Sequence, residues 1–90
     1  MSSVFILTKP PGNPRAELCL RMLSRNFRLY LLGDGVYNIL SGCLGGAEGE
    51  IFAFTQDLRE RGVSAAGIKE LDDYSVMVDD IMDAGSVFAF

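Results

Sequence analysis

The chain has 90 residues, enough for one domain (1–90) that buries only about 60–65 % of the surface its unfolded form exposes, yet 49 % of them are hydrophobic, so some apolar surface is expected against a partner. It has no histidine, which excludes Ser-His-Asp and Cys-His catalysis and most zinc sites, and no run near the ~20 apolar residues of a membrane span. A net charge of −4 and a pI near 4.5 weigh against direct nucleic-acid binding.

In chain order, Val4–Thr8 reads as a buried strand stopped by Pro10, Pro11 and Gly12. The run Val4–Leu7 is too short for a signal peptide and no basic residue precedes it, so a cytoplasmic location is expected. Asn13 followed by Pro14 predicts a helix start, with the helix running to about Arg25 on a core face of Ala16, Cys19, Leu20 and Leu23. Asn26 ends it. Phe27–Leu32 is a second strand, broken by Gly33-Asp34-Gly35. A short helix from Val36 to about Leu40 follows, with Asp34 placed to cap it. Ser41–Gly49, with four glycines and Cys43, predicts a flexible loop. Glu50–Phe54 is a third strand and Thr55–Arg61 a helix, with Gly62 as its left-handed terminator. Ile68–Leu71 is a short strand. Asp72 or Asp73 caps a last helix whose Tyr74, Met77, Val78 and Ile81 share a face. Gly85 closes that helix, and Ser86–Phe90 is a final strand expected to be held in the sheet near an interface. Strands alternating with helices predict an α/β fold with a parallel sheet covered on both faces.

Charge is unevenly placed. Residues 1–32 hold Lys9, Arg15, Arg21, Arg25 and Arg28 against the single acid Glu17, whereas residues 70–90 hold Glu70, Asp72, Asp73, Asp79, Asp80 and Asp83 with no base. The plain reading is two solvated helix faces of opposite sign; such polarity can also guide head-to-tail or hetero-subunit contacts. Asp79, Asp80 and Asp83 lie on one helix without an oxygen-rich loop, so they read as a solvated face and not as a cation site. Arg59 and Arg61 sit where cations favourably meet a helix C-terminus.

No complete catalytic centre stands out. Gly33-Asp34-Gly35 lacks the third glycine of a dinucleotide fingerprint, and no cofactor is expected. Asp34 and Gly35 nonetheless lie at the carboxyl end of a strand, where open α/β sheets place ligands, so they are candidates for orienting a ligand or a partner's residue. Cys43 is the one residue able to carry sulfur, although no Lys or Arg lies near it in sequence to lower its pKa, and filling a loop explains it as well. Cys19 lies on the buried stripe of the first helix and reads as core packing. Both thiols are expected to be free.

Three segments carry a resemblance: Leu31-Leu32-Gly33-Asp34-Gly35-Val36; Phe52 to Leu58 with Arg61-Gly62-Val63; and Asp73-Tyr74 through Phe90. In this order they resemble the DsrH/TusB family of small sulfur-relay proteins, within the DsrE/DsrF/DsrH superfamily, over nearly the whole chain. The resemblance implies a three-layer α/β/α domain with a five-stranded, mostly parallel sheet. It also implies assembly with DsrE- and DsrF-like subunits or with copies of itself, with a DsrC-like protein as a potential sulfur acceptor. Such proteins pass persulfide sulfur for thiolation of a tRNA wobble uridine or for dissimilatory sulfur oxidation. Superfamily members that carry sulfur hold a cysteine at the end of the third strand; the matching position here is Phe54, with Thr55 beside it. The C-terminal aromatic is Phe90 where tryptophan is common. Phe54, Thr55 and Phe90 therefore join Asp34 and Gly35 as candidate partner-contact residues. The leading expectation is a non-catalytic subunit of a sulfur-relay assembly. The alternatives are a self-sufficient persulfide carrier using Cys43, and a homo-oligomer of unrelated function that shares the fold.

Overall fold

The computed structural model describes residues 3–23, 26–42, 44, 48–65 and 67–90. Five strands form one sheet: β1 (Ser3–Leu7), β2 (Phe27–Leu31), β3 (Glu50–Phe54), β4 (Lys69–Leu71) and β5 (Ser86–Ala89). Every pairing is parallel and the spatial order is β4-β3-β2-β1-β5. Three α-helices, α1 (Pro14–Met22), α2 (Thr55–Arg61) and α3 (Ser75–Asp83), and a 3-10 helix over Gly33–Ile39 make the crossovers. Apolar residues of α1, α2 and the 3-10 helix join one core cluster with Phe5, Leu29 and Leu31. On the other face α3 is the one helix among the described residues, against Val4, Tyr30, Phe52 and Phe54. The result is the expected three-layer α/β/α arrangement, with a sheet that is parallel throughout.

Local chemistry sets the boundaries. Asn13 accepts a 2.9 Å hydrogen bond from the Arg15 backbone N–H, and Pro14 occupies the first helical position of α1. This helix stops at Met22, short of Arg25, because Leu23 turns to an extended conformation and packs into the core. Residues 24 and 25 lie outside the described part. Asn26 adopts φ 59° and donates its N–H to the Glu48 carbonyl, which feeds the chain into β2.

The 3-10 helix starts earlier than expected, and no side chain caps it. Its entry is governed by Gly35: a Cβ there would lie 2.1 Å from the Leu7 carbonyl oxygen, so only glycine lets the chain cross the end of β1. Buried Asn38 fastens this crossing by donating Nδ2–H to the carbonyls of Lys9 at 3.0 Å and Gly35 at 2.9 Å.

Glu50–Phe54, Thr55–Arg61 and the left-handed Gly62 occur as predicted, and the Val63 N–H returns to the Leu58 carbonyl at 3.0 Å. Asp73 holds the start of α3, accepting from the Ser75 N–H and hydroxyl at 2.9 and 2.6 Å. The inward stripe of α3 differs from expectation. Met77 and Ile81 pack on the sheet, but Tyr74 and Val78 do not share their burial. Asp80 takes the place between Met77 and Ile81 on the inward side, rotating the helix about its axis. The strand expected at 86–90 ends at Ala89, yet Phe90 stays tied to β1: its N–H donates to the Ile6 carbonyl, and its carbonyl accepts from the Thr8 N–H.

Candidate functional site

Because all five strands run the same way, their carboxyl ends form one rim. Four of the five residues singled out from sequence lie there at the ends of adjacent strands: Asp34 and Gly35 follow β2, Phe54 closes β3 and Thr55 opens α2. Phe90 follows β5, separated from them by β1. The strand pleat divides them further. Phe54 points to the α3 face, whereas Phe90 packs on the α1 face, so the five do not converge on a single pocket.

Phe54 is buried, its ring 6.3 Å from that of Tyr30 and 4.6 Å from that of Tyr74. Tyr30 stacks in turn on Phe52 at 4.7 Å. The last position of β3 is thus filled by a ring inside an aromatic stack, and the half-exposed Tyr74 roofs it. Thr55 opens α2 and donates its hydroxyl to Asp72 at 3.0 Å, which bridges the rim to the segment entering α3. Thr8 similarly donates its hydroxyl to the Phe90 carbonyl at 2.7 Å.

Asp34 caps nothing, contrary to the sequence expectation. Its carboxylate instead accepts from Arg61 Nε at 3.0 Å, and Arg61 lies 3.6 Å from Asp57 one helical turn back. The Asp34 hydrogen bond is the main cause of a raised Arg61 pKa. Arg61 therefore locks α2 to the start of the 3-10 helix, while Asp34 remains more than half exposed at the rim. Gly35 is fully explained by its approach to Leu7.

Sequence reasoning missed the densest polar cluster. Asp80, expected on a solvated face, is turned into the α3–sheet interface. It accepts from Arg28 Nη1 at 2.7 Å and from the hydroxyl of fully buried Tyr30. Burial, and then the Asp80 hydrogen bond, push the Tyr30 phenol well above its usual range. Arg28 also lies 3.6 Å from Glu50, which pairs with Lys69 at 2.7 Å; the Lys69 hydrogen bond is the main cause of a lowered Glu50 pKa. A period-two reading of β2 places Arg28 and Tyr30 on one face, and that was the available signal. These groups are paired with each other, an arrangement that fastens α3 and leaves little spare capacity for a ligand.

Cys19 is fully buried, and burial pushes its thiol up to about 11, so it stays protonated and inert at neutral pH. Cys43 lies outside the described residues. Among the described residues no group of three metal-ligating side chains comes together, and no helix is long and apolar enough to cross a membrane.

Comparisons with known proteins agree with this geometry. A family model described as DsrH like protein matches residues 10–87. The solution NMR structure of protein Tm0979 from Thermotoga maritima superposes with a TM-score of 0.59 at 19 % identity, covering 89 % of this chain and 91 % of that one. At that identity the likeness is one of fold. No curated protein gives a significant sequence match.

Proposed function

Since the chain belongs to the DsrH-like family, we propose that it is a non-catalytic subunit of an intracellular sulfur-relay assembly. It contributes surfaces while a related subunit supplies the reactive cysteine. The observation that carries this reading is Phe54: at the strand end where the resemblance implies a thiol in sulfur-carrying relatives, this chain has a buried ring packed between Tyr30 and Tyr74. The buried, protonated Cys19 supports it, because persulfide exchange needs an accessible thiolate. Exposed apolar side chains on two helices, Leu18 and Met22 on α1 and Val78 and Met82 on α3, supply surfaces for an assembly to cover.

The partners proposed are DsrE- and DsrF-like subunits or further copies of this chain, with a DsrC-like protein as acceptor. The assembly serves either tRNA wobble-uridine thiolation or dissimilatory sulfur oxidation. The test is reconstituted transfer with the partner subunits. A Cys43→Ser variant is expected to assemble and to support transfer at the unaltered rate. Persulfide labelling with excess donor, followed by mass spectrometry, is expected to leave Cys43 unlabelled; sulfur on Cys43, or loss of transfer in the serine variant, would overturn the assignment.

A further inference from the structure

The charge asymmetry of the sequence becomes a geometric one in the fold. α1 and α3 lie on opposite faces of the sheet, and each is nine residues long. With Ala16 and Cys19 facing the core, helical spacing turns Leu18, Arg21 and Met22 outward, with Arg15 beside them. With Met77, Asp80 and Ile81 facing the sheet, Val78, Asp79, Met82 and Asp83 turn outward on α3. Leu18 is 45 % exposed and Met22 38 %; Val78 is 50 % exposed and Met82 80 %. Each helix thus shows an apolar i, i+4 pair with charges around it: on α1, Arg15 and Arg21 outweigh the exposed Glu17, and on α3, Asp79 and Asp83 stand without a base. Among the described residues none of Arg15, Arg21, Asp79 and Asp83 makes an ion pair within the chain.

We propose that the α3 face of one copy docks on the α1 face of another. Charge decides between the possible pairings. An α3–α3 contact would bring Asp79 and Asp83 against themselves, and an α1–α1 contact would set two net-basic faces together, with Glu17 offsetting only part of Arg15 and Arg21. The α1–α3 pairing covers both apolar pairs while setting a net-basic face against an acidic one. Because the two surfaces differ, the contact is heterologous, and it builds a ring or a stack instead of a closed two-fold dimer. Two short helices give a small interface, so the association belongs to the weak, salt-sensitive class. The inference takes from the proposed function only the expectation that the chain assembles, and it is read without any sulfur donor. Its failure therefore leaves the sulfur-relay reading standing.

Sedimentation velocity of the full chain over a concentration series tests it. Wild-type protein is expected to exceed the monomer mass of 9.8 kDa progressively at low salt and to return towards it at about 0.5 M salt. The Asp79→Arg/Asp83→Arg variant and the Arg15→Glu/Arg21→Glu variant should each lose association by about 10–100-fold, with far-UV circular dichroism verifying their folds. Mixing the two variants, or combining all four changes in one chain, should restore it. A wild-type chain that stays monomeric to millimolar concentration overturns the proposal. So does association indifferent to both reversals, and so does a mixture that fails to recover.

Discussion

The two faces of the sheet are built by different physics. Beneath α1, α2 and the 3-10 helix the core is dry: Leu7, Ala16, Cys19, Leu29, Leu31, Val36 and Ala53 are all fully buried, and no charged side chain is buried among them. Beneath α3 the sheet offers aromatic rings, and no residue of the helix itself is fully buried. There α3 is held by Met77 and Ile81 together with the clasp of Asp80 on Arg28 and Tyr30. One face is secured by area removed from water, the other by a few directed contacts. A face of the second kind is expected to open locally at lower free energy than the first.

The sharpest way to break that comparison is truncation on each side. Leu29→Ala, in the dry core, is expected to cost about 3–4 kcal/mol, against about 1 kcal/mol for the half-buried Met77→Ala, read from urea unfolding. Equal losses would mean that α3 is as firmly packed as α1. The next effect belongs to the clasp. Asp80→Ala leaves the Tyr30 hydroxyl and the Arg28 guanidinium without their partner at the interface, a loss of about 2 kcal/mol. Tyr30→Phe should cost less, and the two changes should be non-additive in a double-mutant cycle. Hydrogen exchange in α3 should rise in Asp80→Ala while that in α1 stays unchanged.

The dry face also predicts a pH dependence. The Cys19 thiol titrates near 9 when unfolded and is pushed up to about 11 by burial, so the folded state keeps its proton longer. Stability from this group is fully present below pH 9 and is lost as pH rises towards 11, by up to about 2 kcal/mol. Cys19→Ala should flatten that alkaline slope in a series of unfolding curves. A slope unchanged by the substitution would show that the thiol is not the group responsible.

How legible these differences were depended on the range of the signal. Asn13-Pro14, Gly62 and the apolar run of β3 act through near neighbours in sequence, and the start of α1, the end of α2 and β3 lie where they were expected, with β1 one residue earlier. The roles of Asp34 and Asp80 depend on partners 27 and 52 residues away, Arg61 and Arg28, which no local pattern announces. Asp34 reads as a cap because acids before a helix commonly are caps, yet the glycine crossing over Leu7 takes the helix start away from it. The apolar face of α3 was misplaced for a related reason. Periodicity assumes that the buried stripe is apolar throughout, and here a carboxylate occupies part of it because a buried tyrosine needs an acceptor. For the candidate site, the place of Phe54 at the end of β3 was legible in the sequence, but the pleat that separates it from Phe90 was not.

The smallest effect is expected at Asp34, more than half exposed at the rim and outside both packed clusters. Asp34→Ala removes an exposed ion pair whose cation keeps Asp57 as a neighbour, so stability should fall by no more than about 0.5 kcal/mol. That near-silence makes the variant useful. If Asp34 faces a partner subunit, assembly should weaken while the unfolding midpoint stays in place, separating contact from structure in one protein. A fall well above 1 kcal/mol would instead make the Asp34–Arg61 lock a third structural region, and a description of the fold by two faces alone would no longer hold.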